Sequence, residues 1–149
     1  MAAEAVRITF LGGLGEIGRN CAAIEIEGRI MLLDCGLMFP DTDMLGIDVV
    51  LPDFTWLRER ADDIEGCILT HGHEDHVGAL SYALQEFKFP IISSEFTLGL
   101  ARGRIEENGV LKNTKLIVVK EGATISEGKA LMHQHKLERV LVVNDAFEL

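Results

Sequence analysis

Six consecutive residues, His71-Gly72-His73-Glu74-Asp75-His76, constrain this chain more than any other stretch. They place three imidazoles and the Asp75 carboxylate close together, directly after the apolar run Cys67-Ile68-Leu69-Thr70, which reads as a buried strand. A strand that ends in a short turn aims several side chains at one point. His and Asp are ligand types for zinc, and sites built from them polarise water. A lone histidine is ordinarily a surface or core residue, whereas four candidate ligands in six positions have the spacing of a metal cluster. The stretch therefore predicts a metal-dependent hydrolase, with Glu74 pointing away from the ligand side.

The 149 residues suffice for one domain, or for one and a fragment. A globular chain of this size buries about 68–70% of its surface, so a substantial core is feasible. No run of 18 apolar residues occurs, which predicts no transmembrane helix. The opening Met1-Ala2-Ala3-Glu4-Ala5-Val6-Arg7 lacks the basic and apolar regions of a signal peptide, so a cytoplasmic location is expected. Cys21, Cys35 and Cys67 are odd in number, widely spaced and set in apolar surroundings, as reduced core thiols are. The net charge of −10 disfavours loose binding to nucleic acid. An enzyme acting on nucleic acid would need a local basic groove or metal ions. Arg102, Arg104, Lys112 and Lys115 form the one basic grouping, which a solvated helix face explains equally well.

Strands are expected at Val6 to Leu11, at Cys21 to Ile26 with period-two alternation, and at Ile30 to Leu33, ending in Asp34. Phe39 to Asp53 holds two of the three prolines and several acids, and reads as a long excursion. Asp53 is expected to cap a helix through Arg60. His76 is expected to open a helix to Phe87, with Val77, Leu80, Leu84 and Phe87 on one face. A short strand Pro90–Ser93, a helix from Ser94 or Glu95 to about Asn108-Gly109, and a strand Lys115–Val119 follow. Beyond a turn at Gly122, a helix is expected over 130–136 and a strand over 139–143.

Gly13-Leu14-Gly15-Glu16-Ile17-Gly18 fits G-x-G-x-x-G after a strand, with Asp34 some 21 residues past Gly13. That is the spacing of a dinucleotide-binding fingerprint, which requires an intervening helix. Residues 20–27 are short, and their second half alternates like a strand. The preferred reading is a loop that approaches the metal site, with glycine keeping the backbone close.

These residues resemble a known family. His71-Gly72-His73-Glu74-Asp75-His76 matches the H-x-H-x-D-H signature of the metallo-β-lactamase superfamily, and Asp34 at a strand end matches its first motif. Four segments, LGGLGEIGRN from Leu11, DCGLMFP from Asp34, GIDVVLPDF from Gly46 and ILTHGHEDHVG from Ile68, are similar to bacterial ribonuclease J. The resemblance covers about residues 6–128. It implies an α/β fold, the N-terminal half of an αββα sandwich with a mixed sheet and helices. It implies that His71 and His73 bind one Zn2+, that Asp75 and His76 bind a second, and that Asp34 orients these ligands from behind. It further implies that the zinc ions activate a water for attack on RNA. Family members draw another metal-binding His, a bridging Asp and a late His from downstream segments not recognisable here.

From Lys129 the sequence resembles part of the cystathionine-β-synthase-type module of IMP dehydrogenases. Residues 1–128 are thus expected to form a partial metallo-β-lactamase-type domain and 129–149 a helix-strand tail, as in a fusion, a truncation product or an engineered chimera. His133 and His135 cannot both serve one metal from a helix, where residues two apart point about 200° from each other. The implied function is a zinc-dependent ribonuclease, weak or inactive in this short form. The alternatives are a non-catalytic metal- or nucleotide-binding fragment acting through association and a dinucleotide-binding domain. The inner sheet face is expected to be covered by the tail or by a second copy, giving a homo-oligomer.

Overall fold

The computed structural model describes residues 5–120 together with Gly122 and Gln134. The expected helix over 130–136, the strand over 139–143, His133 and His135 lie outside the described residues, Gln134 excepted.

A six-stranded sheet runs in sequence order. β1 (Val6–Gly12), β2 (Cys21–Ile26) and β3 (Arg29–Leu33) form an antiparallel meander, and β4 (Ile64–Ile68), β5 (Ile91–Ser93) and β6 (Leu116–Val118) add to it in parallel. Helices α1 (Thr55–Arg58), α2 (Glu74–Val77), α3 (Leu80–Glu86) and α4 (Glu95–Glu107) fill the connections, with 3-10 turns at Ala61–Asp63 and Leu111–Asn113. The fold is α/β with a mixed sheet, as the sequence predicts. Parallel neighbours require crossovers, and the helices supply them.

Period-two alternation decides which side chains meet the helices. Ile30 and Leu32 of β3, Cys67 of β4 and Ile91 of β5 face one side, where Leu57, Val77, Leu80, Ala83, Leu98, Ala101 and Ile105 close the core. Met31, Ile92 and Ile117 face the other side, with Ile68 and Val119 packed against them. Ile8 and Phe10 of the edge strand β1 are 56% and 58% exposed; through the pairs Ile8↔Ile24, Phe10↔Ala22 and Ile24↔Met31 they share that second face.

Three local expectations are corrected. The helix expected from His76 to Phe87 starts at Glu74 and breaks at Gly78-Ala79, so it is two short helices. Gly78 gives way to Leu37, whose side chain occupies the space a Cβ there would need. The strand expected at Cys67–Thr70 begins earlier, at Ile64, and ends at Ile68. Leu69 and Thr70 continue outward, Leu69 N–H donating to the Ile92 carbonyl at 3.0 Å. The helix expected to reach Arg60 ends at Arg58, although Asp53 does serve its start, accepting from Thr55 N–H at 2.9 Å. α4 opens at Glu95, one of the two expected starts, with Ser94 before it accepting from Thr97 N–H.

The core predicts a contrast. Leu80→Ala removes a fully buried side chain and is expected to cost about 2–5 kcal/mol. Leu14→Ala, at a position 74% exposed, should stay within about 0.5 kcal/mol. Urea unfolding of both variants checks this, and equal losses would contradict the packing described.

Candidate metal centre

The site forms where two adjacent parallel strands end. β3 and β4 pair with Leu33 opposite Ile68, so Asp34 and the segment Leu69–His71 leave the sheet side by side. Side chains beyond the carboxyl ends of parallel strands converge in open α/β sheets. Asp34 has a left-handed backbone (φ 58), a region Asp tolerates better than most residues, and this turn takes the chain off β3.

The buried Asp34 carboxylate then joins three partners. Oδ1 accepts from Thr70 N–H at 2.8 Å. Oδ2 accepts from the Thr70 hydroxyl at 2.8 Å and lies 2.8 Å from His76 Nδ1. The Thr70 hydroxyl is also 3.0 Å from His71 Nδ1. Directions follow from the inventory of donors. A carboxylate only accepts, so His76 carries its proton on Nδ1. The one Thr70 hydroxyl proton goes to Asp34, so that oxygen accepts from His71 Nδ1–H. In the neutral rings this leaves the lone pair on Nε2, the arrangement by which carboxylates orient metal-binding histidines.

The rings themselves are gathered. The His71 centroid lies 4.0 Å from that of His76 and 4.7 Å from that of His73. Asp75 Oδ2 is 3.4 Å from His76 Nε2. The rings pack on one another at tilted and edge angles, and among the described residues no three His, Cys, Asp or Glu groups surround one point as ligands would. The donor set nevertheless fits a divalent cation: three imidazoles, two of them with Nε2 free to coordinate, and one carboxylate.

Glu74 points away, as expected. Its Oε1 accepts from Arg104 Nε at 2.7 Å, tying α2 to α4. Arg104 also holds Glu107, so it is not free for phosphate, and Lys115 is likewise engaged. The three cysteines are free and buried. The Cys21 side chain and burial push the Cys35 thiol well above its ordinary value, and burial does the same for Cys67. They stay protonated core groups, not thiolate ligands.

The glycine segment is a loop of turns and bends that leads straight into antiparallel β2. The helix a dinucleotide fingerprint needs is absent there, and that alternative falls. The loop instead delivers Asn20, whose Nδ2 donates to the Asp75 carbonyl at 3.0 Å, while its own N–H donates to the same carbonyl at 3.0 Å. Gly36 N–H donates to the Asn20 carbonyl, and a Cβ on Gly36 would overlap the Asp75 carbonyl. Sequence reading missed Asn20 and Thr70 because neither is a usual metal ligand. Their signal was positional: Asn20 ends the glycine loop, two residues after Gly18, and Thr70 directly precedes His71.

A family model described as the metallo-β-lactamase superfamily matches residues 14–143. The chain is similar to ribonuclease J of Synechocystis sp., 45% identical over 130 residues, which are 87% of this chain and 20% of that protein. It is similar to ribonuclease J2 of Bacillus subtilis, 45% identical over 113 residues, 76% of this chain and 20% of the relative. With ribonuclease J of Helicobacter pylori it shares 35% identity over 145 residues, 97% of this chain and 21% of the relative. The chain spans about a fifth of the length of these relatives. The similarity runs past residue 128 into the stretch where the sequence alone suggests another module.

The hydrogen-bond network predicts unequal costs for two acids. Asp34→Ala removes a buried carboxylate that accepts from Thr70 N–H, the Thr70 hydroxyl and His76 Nδ1, and is expected to destabilise by about 1–3 kcal/mol. Glu74→Ala removes a half-exposed ion pair worth less than about 1 kcal/mol. Urea unfolding that ranks them the other way would contradict the network.

Proposed function

The chain belongs to the metallo-β-lactamase superfamily, and from that premise we propose that it carries part of the catalytic apparatus of a zinc-dependent ribonuclease of the ribonuclease J type. The observation that carries the reading is the hydrogen bonding of Asp34 to Nδ1 of His76 directly and to Nδ1 of His71 through Thr70, which turns Nε2 of both rings toward the role of ligand. His71 and His73 would hold one Zn2+, and Asp75 and His76 a second. Zinc bound there supplies a water acidic enough to ionise near neutral pH and a Lewis acid for a phosphoryl oxygen.

The rest is the work of this chain's own residues. Asp34 keeps the ring of His76 and, through Thr70, that of His71 in one tautomer. Asp75, on the outer side of the cluster, offers a carboxylate to a cation or to a proton. RNA is the substrate that the relatives' names suggest. The charge of −10 opposes it, so binding of a phosphodiester would rest on the cations of the site. With about a fifth of the relatives' length, the chain alone is expected to cleave weakly or not at all.

Buried, unpaired cysteines accord with a reducing cytoplasm, and no helix among the described residues is long and apolar enough to cross a membrane. Association with a second copy through the face carrying Ile8 and Phe10 belongs to the same reading.

A second reading, a non-catalytic fragment that binds metal or nucleotide and acts by association, is favoured by one observation. No three ligand groups surround a common point among the described residues. Two measurements separate the readings. Zinc per chain, by elemental analysis of wild type beside His73→Ala, is expected to fall in the variant. Zinc absent from wild type, or equal in both, would contradict the site. Cleavage of 5′-monophosphorylated RNA by the zinc-loaded chain, even slow, supports the enzyme; zinc bound with no cleavage puts the second reading ahead.

A further inference from the structure

We propose that Asn20 is a positioning residue for the metal ligands Asp75 and His76, holding both through one side-chain amide; the inference rests on the zinc site proposed above. Asn20 Nδ2 lies 3.0 Å from the Asp75 carbonyl, 3.3 Å from Asp75 Oδ2 and 3.3 Å from His76 Nε2. The two Asp75 oxygens only accept, so the amide presents its nitrogen to them, not its oxygen. The proton on His76 Nδ1, fixed by Asp34, leaves Nε2 an acceptor as well.

Two amide hydrogens thus face three acceptors. The shorter bond, to the carbonyl, pins the backbone at the start of α2. The second hydrogen is shared between the Asp75 carboxylate and the His76 ring at equal distance. When Nε2 gives its lone pair to a cation, that hydrogen has one acceptor left, Asp75 Oδ2. The amide therefore orients the carboxylate in the loaded site and separates the two ligands without adding charge.

The placement is built into the fold. Asn20 follows a turn with positive φ at Gly18 (113) and Arg19 (42), and Arg19 is tied back to Glu16. Arg19 N–H donates to the Leu37 carbonyl and Gly36 N–H to the Asn20 carbonyl, so the loop end is clamped against the segment after Asp34. A Cβ on Gly13 would meet Asn20 Oδ1 at 2.7 Å, so the glycine also makes room for the amide. Two sequence features that the ligand signature leaves unexplained, the glycine loop and the Asn that ends it, acquire one role.

The test compares the 149-residue chain with Asn20→Ala and Asn20→Leu, the second keeping the volume of the amide. Zinc affinity is read by competition with a chelator, and the melting temperature is read on the metal-free proteins. Both variants are expected to lose roughly 10–100-fold in zinc affinity, the usual cost of removing a group that orients ligands, with the metal-free melting temperature lowered by no more than a few degrees, the cost of one hydrogen bond. Wild-type affinity in either folded variant overturns the proposal. So does a metal-free melting temperature that falls by more than about 10 °C in both, or failure of both to fold, since a structural role then accounts for Asn20. A wild-type chain that takes up no zinc removes the reading of the site, and this inference with it.

Discussion

The Asp34 carboxylate is the contact on which the site depends. It sits at the end of β3, accepts the backbone and hydroxyl protons of Thr70 at the end of β4, and accepts the Nδ1 proton of His76 from α2. The turn after β3 and the stretch Thr70–His76, 36 or more residues away, are tied by one buried group. Burying that carboxylate without its hydrogen bonds is costly, so the group depends on the donors that Thr70 and His76 bring to it. The same bonds that stabilise the junction set which ring nitrogen of each histidine is left bare. Stability and ligand chemistry are one network here.

The sheet makes that network geometrically cheap. Parallel pairing of β3 with β4, and of β4 with β5, brings three strand ends to one rim. Asp34 N–H donates to the Ile68 carbonyl and the Ser93 hydroxyl to the Leu69 carbonyl, so the rim is hydrogen-bonded across all three strands. Gly36 allows the segment after Asp34 to lie directly on the Asp75 backbone, and Gly78 admits Leu37 beneath α2. The core below, with Leu32, Leu57, Leu80 and Ile91 fully buried, keeps the rim from shifting.

Much of this is legible in the sequence, for physical reasons. Alternation in Cys21–Ile26 and the apolar run Ile30–Leu33 mark strands because a pleated backbone faces its side chains two ways. His71 to His76 mark the site because few other patterns crowd that many ligand types. The break at Gly78-Ala79 is invisible because helical spacing continues across it, and it comes from partners elsewhere in the chain: Ala79 N–H donates to the Cys35 carbonyl, while Asn20 takes the Asp75 carbonyl that would have continued the helix. The strand start at Ile64 is hidden because Glu65, buried beside Arg29, does not look like a core residue. Asn20 and Thr70 escape notice because they bind other side chains and not the cation, and such roles appear only once the chain is folded.

The chemistry of the site turns on where two protons sit, those of the His71 and His76 rings. Long-range 1H–15N correlation of the histidine rings in the metal-free chain, at a pH where those rings are neutral, reads this directly. The account predicts that His71 and His76 both carry the proton on Nδ1, with Nε2 bare. Protons on Nε2 of these two rings would mean that Asp34 does not direct them, and the description of the site would be wrong.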